Sequence, residues 1–221
     1  AGRVAVSMFG NTTACVERCT ALLRARGYEV VAFHANGTGG RTMEALIAEG
    51  RFDAVLDVTT TELADELCGG ICSAGPDRLL AAGRTGIPQV VVPGCLDMVN
   101  FGAPDTVPAA FRHRQLYGWA PDVTLMRTNA AENETLGRQL AQKVAQSKGA
   151  VTVVLPLAGL SQIDAAGGVF YQPGVDHVLF DALRTHLPDA VTLVESAAHV
   201  NDPAFAEALV ASLLALIQSK N

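Results

Sequence analysis

Short runs of apolar residues alternate along the chain with segments in which apolar residues recur every three or four positions. Each run is continuous rather than alternating, which is typical of strands that are buried on both faces of a parallel sheet. The spacing in the intervening segments predicts helices. Seven strands are predicted in this way, over residues 4–8, 30–33, 54–58, 89–92, 123–126, 151–155 and 191–194.

The helical segments complete an α/β pattern. The last of them begins at Asp202 and Pro203, which suit an N-cap and the first helical position. Two shorter helices are predicted over residues 62–68 and 76–82. Strand and helix in alternation predict one three-layer α/β domain over residues 1–221, with an open, doubly wound (Rossmann-like), mostly parallel sheet of about seven strands.

One long stretch, residues 93–121, shows no repeating pattern and interrupts this alternation. Loops of this length inside a compact domain are usually functional, so we expect a lid or an interface here. Its aromatic residues Phe101, Tyr117 and Trp119 are of the types that are enriched at interfaces. A short helix near residues 109–114 is expected to interrupt the loop.

The composition excludes several classes of protein. Apolar residues make up 49% of the chain, and the net charge of −6 argues against a nucleic-acid-binding surface. No apolar run reaches the roughly 20 residues that span a bilayer, and no signal peptide is visible, so no membrane partner is expected. The abrupt start at Ala1 suggests that the chain is part of a longer protein.

The cysteines indicate a reducing compartment. There are five, an odd number, and none forms a CxxC motif. We therefore expect a cytoplasmic protein with buried cysteines rather than a disulfide framework. No metal site is predicted, because no histidine or cysteine cluster shows ligand spacing.

The second predicted strand is followed by a glycine-rich turn and then by helical spacing. This order binds anions in α/β proteins, because glycines allow close backbone approach and first-turn N–H groups face the ligand. The predicted cradle is Gly37, Thr38, Gly39, Gly40 and Arg41, whose guanidinium suits a phosphate or carboxylate. The turn lacks a Walker A lysine and the third glycine of the dinucleotide fingerprint. The alternative is a tight turn before an ordinary helix.

Hydroxyl, amide or charged residues follow every predicted strand, whereas the segments that enter the strands are plain turns. Because the carboxyl ends of parallel strands meet at one edge of the sheet, we expect a polar crevice there. The predicted ligand-binding residues beyond the cradle are Asn11, Thr12, Thr13, Thr60, Thr61, Asn100 and Arg127. The alternative for the threonines at positions 12, 13 and 61 is helix capping.

Three residues at this edge are the acid–base candidates if a reaction is catalysed: Asp97, Glu62 and His199. Hydrolysis or a carbon-skeleton reaction on a small acid fits this set, and the sequence does not choose between them. Glu62 is equally suited to stabilising a helix N-terminus, and His199 to a structural role. Cys95 follows a strand end, but no neighbouring base for a thiol mechanism is evident.

Six motifs, in this order, carry a resemblance to a known family: GNTTACV, HANGTGGRTME, DVTTTELADELCGG, SAGPDRLLAAGRTGIPQVVVPGCLDMVNFG, TLMRTN and AHVNDPAFAEAL. With them the chain resembles the C-terminal half of the Tm-type ATP-binding family, to which tomato mosaic virus resistance proteins and uncharacterised bacterial proteins belong. The resemblance implies an α/β fold, homodimer formation, ATP or a related nucleotide as ligand, and an N-terminal companion domain with its own glycine-rich loop.

Two hypotheses of different classes follow. In the first, the carboxyl ends of the strands bind a small phosphorylated or carboxylated molecule, above all ATP or a related nucleotide. Mg²⁺ would accompany the phosphates without a dedicated set of protein ligands. In the second, the chain is a non-catalytic assembly module, and residues 93–121 contact a second copy, a partner protein or the companion domain.

Overall fold

The computed structural model describes residues 2–220, in which strands and helices alternate as the hydrophobic pattern predicts. The strands are β1 (Arg3–Met8), β2 (Glu29–His34), β3 (Ala54–Thr59), β4 (Gln89–Gly94), β5 (Met98–Phe101), β6 (Leu116–Ala120), β7 (Val123–Arg127), β8 (Val151–Pro156) and β9 (Thr192–Ser196). The helices are α1 (Thr13–Ala25), α2 (Thr38–Ala48), α3 (Thr61–Cys68), α4 (Ala81–Thr85), α5 (Ala130–Ala145), α6 (Pro173–His186) and α7 (Pro203–Lys220). Single turns of 3-10 helix occupy Gly10–Thr12, Pro104–Thr106 and Ala109–Phe111.

Six strands form the central sheet in the order β2-β1-β3-β4-β8-β9, and all neighbours are parallel. This confirms the predicted open, doubly wound α/β arrangement. The central sheet has six strands, close to the predicted number of about seven. The run over residues 123–126 is a strand, β7, but it pairs antiparallel with β5 and β6 and does not enter the central sheet.

These three strands form a second, antiparallel sheet in the order β5-β7-β6, here called the small sheet. Residues 93–121 are therefore not an irregular loop, and the short helix expected within them is only the 3-10 turn Ala109–Phe111. The hydrophobic pattern hides both new strands. Strand β5 is four residues long and wholly buried, whereas β6 is an edge strand with three exposed residues. Neither strand shows an alternation long enough to be recognised.

Helices cover both faces of the central sheet. Helices α1 and α7 pack on one face, where Val6, Leu56 and Val92 meet Leu23 and Leu209. The opposite face is covered by α2 and α4 at one end and by α3, α5 and α6 at the other. The buried strands are thus apolar on both sides, which explains their continuous rather than alternating apolar runs.

The connection between β3 and β4 differs from the prediction. The helix over residues 62–68 is confirmed as α3, and its C-cap, Gly69, is left-handed as helix ends favour. The prediction of a helix over residues 76–82 is wrong, because α4 begins only at Ala81. Leu79 has a φ of 78°, outside the helical region, and the Glu44 carboxylate accepts hydrogen bonds from the N–H groups of Leu79 and Ala81. Directly before this turn, Arg78 is fully buried.

Among the described residues, only α7 has the length and apolar composition of a membrane-spanning helix. Phe205, Leu209 and Leu213 on this helix are fully buried against α1 and the central sheet. The helix begins at Pro203, as predicted, and the carboxylate of Asp202 accepts a hydrogen bond from the N–H of His199 at 2.8 Å.

Candidate functional site

The carboxyl ends of the six parallel strands meet at one edge of the central sheet, and the predicted polar residues lie along it. The strand order places the topological switch point between β1 and β3, where doubly wound proteins bind their ligands. Gly10–Thr12 follow β1, and Thr60 and Thr61 follow β3. However, most of these side chains are buried and bonded to one another rather than open to solvent.

The glycine-rich turn is the clearest example of an internal partner. The N–H groups of Gly37 and Gly40 both donate to Glu62 Oε2, at 2.8 and 3.1 Å, and the N–H of Gly39 donates to Asn36 Oδ1 at 3.0 Å. A carboxylate from α3 thus occupies the N-terminal end of α2, where an anionic ligand was expected. A Cβ on Gly40 would collide with this carboxylate.

Arg78 holds Glu62 in place and joins it to two further carboxylates. The guanidinium donates from Nε to Glu62 Oε1 at 2.7 Å, and from Nη1 and Nη2 to the two oxygens of Asp57 at 2.6 and 2.7 Å. Nη2 also donates to the Thr59 carbonyl, and Nη1 lies 3.5 Å from Glu44. We call Arg78, Asp57, Glu62 and Glu44 the Arg78 network.

The Arg78 network leaves Glu62 no free oxygen for acid–base chemistry. Burial raises the pKa of Glu62 and that of Glu44, although the contact with Arg78 opposes the shift in both cases. Sequence reasoning noted Glu62 but missed its partners. A signal was present, since Asp57 is a carboxylate inside an otherwise apolar strand and requires a buried cation.

The threonines at the ends of β1 and β3 also bond internally. The hydroxyls of Thr12 and Thr59 lie 2.8 Å apart, the Thr60 hydroxyl donates to the Val92 carbonyl, and that of Thr61 contacts the Met98 carbonyl. These contacts join the strands to one another and to the small sheet. All three predicted binding threonines at positions 12, 60 and 61 are buried.

Asn100 belongs to a further buried contact. Its backbone and side-chain nitrogens both donate to Asp65 Oδ1, at 3.0 and 3.2 Å, and Asp65 Oδ2 accepts from the N–H of Cys72. Asp65 thereby ties the loop after α3 to β5. Burial raises the pKa of Asp65 to about 7.

A few of the predicted residues remain open to solvent at this edge. Thr38 and Arg41 in the first turn of α2 are exposed, as is Asn36 before them. Thr13 is partly exposed, and its hydroxyl donates to the carbonyls of Phe9 and Gly10. These residues, with the α2 N-terminus, define the accessible part of the site.

Asp97 and Arg127 lie in a second buried polar group together with Ser161, Asp164 and Asp176, and we call these five residues the acid centre. Asp97 Oδ2 accepts from the Ser161 hydroxyl at 2.7 Å, and Arg127 Nη2 donates to Asp176 Oδ1 at 2.7 Å and lies 3.6 Å from Asp164 Oδ1. Burial, followed by the charge of Asp164, raises the pKa of Asp97 to about 7. Ser161, Asp164 and Asp176 are not among the residues predicted for the site. Asp176 lies in the first turn of α6, where a carboxylate is common without any functional role.

His199 lies beside the acid centre, and its ring holds the backbone of two acid-centre residues, Ser161 and Asp164, in position. Its Nε2 lies 2.7 Å from the Ser161 carbonyl and 3.2 Å from that of Asp164, whereas its Nδ1 accepts from the N–H of Asn201 at 3.1 Å. Nε2 must therefore carry the proton, and the ring holds the segment that contains both residues.

Cys95 occupies the turn after β4 with a φ of 61°, an uncommon value for a residue other than glycine. Its side chain is fully buried among Met98, Leu125 and Phe170, and burial raises the pKa of the thiol. The cysteine is therefore held as an apolar side chain and not as a thiolate nucleophile. No group of three or more His, Cys, Asp or Glu residues in the described range 2–220 could hold a metal ion.

The fold and this edge define the class of protein as a doubly wound α/β protein whose carboxyl-end crevice is largely closed by its own small sheet. The model of the "Uncharacterised protein family (UPF0261) C-terminal domain" matches residues 2–217, and the chain belongs to this family. A UPF0261 protein of Clostridium tetani is 46% identical over 97% of this chain and 54% of the relative. One from Mesorhizobium japonicum is 45% identical over 95% of this chain and 53% of the relative.

The ToMV resistance protein Tm-1 of Solanum lycopersicum is 40% identical over 96% of this chain and 28% of the plant protein. The chain thus spans about half the length of the bacterial relatives. Among solved structures, a solute-binding protein of an ABC transporter from Mycobacterium smegmatis, with bound glycerol, is similar with a TM-score of 0.32 and 16% identity over 90% of this chain and 56% of that protein.

The Arg78 network predicts a large loss of stability when its cation is removed. Arg78→Met keeps much of the side-chain volume but leaves three carboxylates without their buried partner. We expect the free energy of unfolding to fall by about 3–5 kcal/mol, measured by urea denaturation at pH 7. The control is Arg84→Met, since Arg84 is exposed and 3.6 Å from Asp77, and it should change stability by less than about 0.5 kcal/mol. Equal effects of the two substitutions would contradict the central role of Arg78.

The raised pKa of Asp176 predicts that the stability of the fold depends on pH. Burial, followed by its hydrogen bond with Asp164, raises the pKa of Asp176 from 3.8 to about 9. Between these values the folded state holds a proton that the unfolded state has released. The free energy of unfolding should therefore decrease as pH rises from about 5 to 8, by up to about 1.4 kcal/mol per pH unit.

Asp176→Asn mimics the protonated side chain and should remove this contribution to the slope, measured by urea denaturation at pH 5, 6, 7 and 8. The control Asp122→Asn alters an exposed carboxylate and should keep the wild-type slope. The assignment fails if wild type and Asp176→Asn show parallel pH dependences.

Proposed function

We propose that the chain binds a small phosphorylated or carboxylated molecule, such as ATP or a related nucleotide, at the exposed part of the carboxyl edge. The observation that supports this most is the first turn of α2. Thr38 and Arg41 are both solvent-exposed and lie three positions apart, so they share one face of the helix. No described side chain forms a salt bridge with Arg41.

The internal carboxylate limits where the anion can lie. Because Glu62 bonds to the N–H groups of Gly37 and Gly40, the ligand does not enter the turn itself. It contacts the outer side, where the Arg41 guanidinium offers a bidentate contact and Asn36 and the Thr38 hydroxyl offer hydrogen bonds. Any Mg²⁺ would arrive with the phosphates, since the described residues provide no metal-ligating group.

This geometry supports binding rather than catalysis at the same place. The acid–base candidates Glu62 and Asp97 are fully buried, and each is hydrogen-bonded to internal partners. A reaction at Asp97 would require the segment around Ser161 to move. Among the predicted residues, those at the α2 face are therefore the ones that we assign to ligand contact.

Removing the exposed guanidinium should weaken ligand binding without changing the fold. Arg41→Ala should raise the Kd for ATP, ADP or inorganic phosphate by about tenfold or more, because one charge-assisted contact contributes about 1.5–3 kcal/mol. Thermal-shift screening followed by isothermal titration calorimetry measures the change. Arg51→Ala is the matched control, since Arg51 is also exposed but precedes β3 at the opposite edge of the sheet. The proposal is wrong if no phosphorylated or carboxylated compound stabilises wild type, or if both variants bind equally well.

A second candidate function, assembly of two copies, is supported by the small sheet. The exposed large apolar side chains identified in the described residues surround it, and we call them the small-sheet patch: Ile71, Tyr117, Trp119, Val169 and Tyr171. Tyr117 contacts the ring of Phe170 at a centroid distance of 6.3 Å, which joins β6 to the segment before α6.

The edge strand in this patch is suited to self-pairing. Strand β6 pairs with β7 on one side only, and its other side presents backbone groups that no described strand covers. Two antiparallel edge strands can pair about a two-fold axis, which gives the isologous contact typical of homodimers. Tyr117 and Trp119 are both exposed on this strand, and the register of β6 with β7 shifts between Gly118 and Ala120.

This candidate predicts a homodimer that depends on the patch. Light scattering coupled to gel filtration should give a mass near twice 23.1 kDa for the wild-type chain. Trp119→Ala should shift the mass towards the monomer, because it removes a large aromatic contact from the interface. Arg51→Ala again serves as the control and should leave the dimer intact. A wild-type chain that is monomeric at high micromolar concentration would rule the candidate out.

A further inference from the structure

The single tryptophan of the chain lies at the carboxyl edge of the central sheet. Trp119, near the end of strand β6, is 39% exposed. Its Cζ2 atom lies 3.6 Å from the position that a Cβ on Gly10 would occupy, so one edge of the ring contacts the turn that follows β1. This turn is next to the topological switch point between β1 and β3. The indole ring is therefore part of the edge at which ligands bind in this class of fold.

The register of β1 and β2 places this ring close to the start of α2. The last residues of the two strands, Met8 and His34, are paired, and neighbouring strands lie about 4.8 Å apart. Gly10 and Asn36 each lie two residues beyond that pair, and both are exposed. Trp119 contacts the first of these two residues, and the second directly precedes the N-terminal turn of α2. The aromatic ring and the exposed first turn of α2 thus flank neighbouring turns.

The ring of Trp119 is not stacked on another aromatic ring of the protein. None of the aromatic pairs within residues 2–220 includes it, whereas Tyr117 on the same strand is paired with Phe170 at 6.3 Å. Stacking of a base on an aromatic side chain needs one open ring face and no enclosed cavity. Trp119 meets this requirement at an open part of the edge.

Two neighbouring groups of different chemistry restrict the ligand. The Arg41 guanidinium suits a phosphate or a carboxylate, and the indole offers a large flat surface that stacks on planar rings. Inorganic phosphate or an aliphatic acid uses only the guanidinium. A nucleotide uses both groups, because one sugar separates its phosphate from a planar base.

We propose that Trp119 is the stacking platform for the base of a nucleotide whose phosphates contact Thr38 and Arg41. This inference rests on the anion-binding function proposed above and names the ligand class of that site. The ribose lies between the two turns, beside Asn36. Because Asn36 Oδ1 already accepts from the N–H of Gly39, its Nδ2 is the atom that donates to a ribose hydroxyl. Stacking involves the face of the base and not its edge, so the site separates nucleotides from simple anions without selecting one base.

The fluorescence of Trp119 tests this contact directly, since the chain has no other tryptophan. AMP is compared with ribose 5-phosphate, which has the same sugar and phosphate but no base. AMP should quench the emission of the wild-type chain in a saturable manner, whereas ribose 5-phosphate should leave it unchanged. Calorimetry should give a Kd for AMP about tenfold lower than that for ribose 5-phosphate, because the stacked base adds to the affinity.

Three variants separate the base contact from the phosphate contact. Trp119→Ala should raise the Kd for AMP about tenfold and leave that for ribose 5-phosphate unchanged, whereas Trp119→Phe keeps a ring and should retain most of the AMP affinity. Arg41→Ala should weaken the binding of both compounds. The control is Tyr171→Ala, since Tyr171 is an exposed aromatic residue of the small-sheet patch that precedes α6, and it should bind both compounds as wild type does.

The outcomes distinguish this inference from the proposed function. Equal Kd values for AMP and ribose 5-phosphate in wild type would overturn the stacking platform and leave anion binding intact. An AMP affinity that persists in folded Trp119→Ala would overturn it as well. If no phosphorylated or carboxylated compound binds wild type, the proposed function fails and this inference fails with it. Titration at two chain concentrations identifies self-association, because a dimer that covers Trp119 changes the emission with chain concentration and not with ligand.

Discussion

The guanidinium of Arg78 is the contact on which the carboxyl edge of this protein depends. Burying an arginine is expensive unless every donor finds a partner, and here Asp57, Glu62 and Glu44 surround it. Through Asp57 the cation is tied to a central strand, and through Glu62 it is tied to the glycine-rich turn. The start of α2, the end of β3 and the loop before α4 are therefore held by one ion-pair network.

Because of this network, the N–H groups of the glycine-rich turn are not free to bind a ligand anion. Such turns bind ligand anions when their N–H groups are free, but here a carboxylate from the neighbouring helix already accepts from two of them. The glycines are still required, because a side chain at Gly40 would displace Glu62. The motif thus fixes the backbone, and ligand contact is left to side chains such as Arg41 that extend beyond it.

The fold could be predicted largely from the sequence because buried parallel strands produce continuous apolar runs. The small sheet could not, because β5 is too short and β6 too exposed to show a period. The same distinction applies to the site. The position of Asp97 and Thr60 at strand ends follows from topology, whereas the partners of Glu62 do not. Arg78 lies in a turn with no periodic pattern, and the positive φ of Leu79 that follows it has no marker in residue type.

The buried polar groups at this edge are of two kinds: some are hydrogen-bonded to the small sheet, and others have atoms without a partner. Where it covers β3 and β4, polar groups such as Thr61 and Asp65 bond to its own backbone and are satisfied. Where the segment from Ser161 to Phe170 lies beside it, several buried atoms have no partner. Groups whose only role is to hold two elements together are normally bonded in full, since each unsatisfied one destabilises the fold. Among the described residues, Asn100 Oδ1 and Thr124 Oγ1 of the small sheet also lack a partner, as do atoms of the acid centre, whereas every buried atom of the Arg78 network is bonded. Full bonding therefore singles out the Arg78 network as the part of this edge whose role is to hold the fold together.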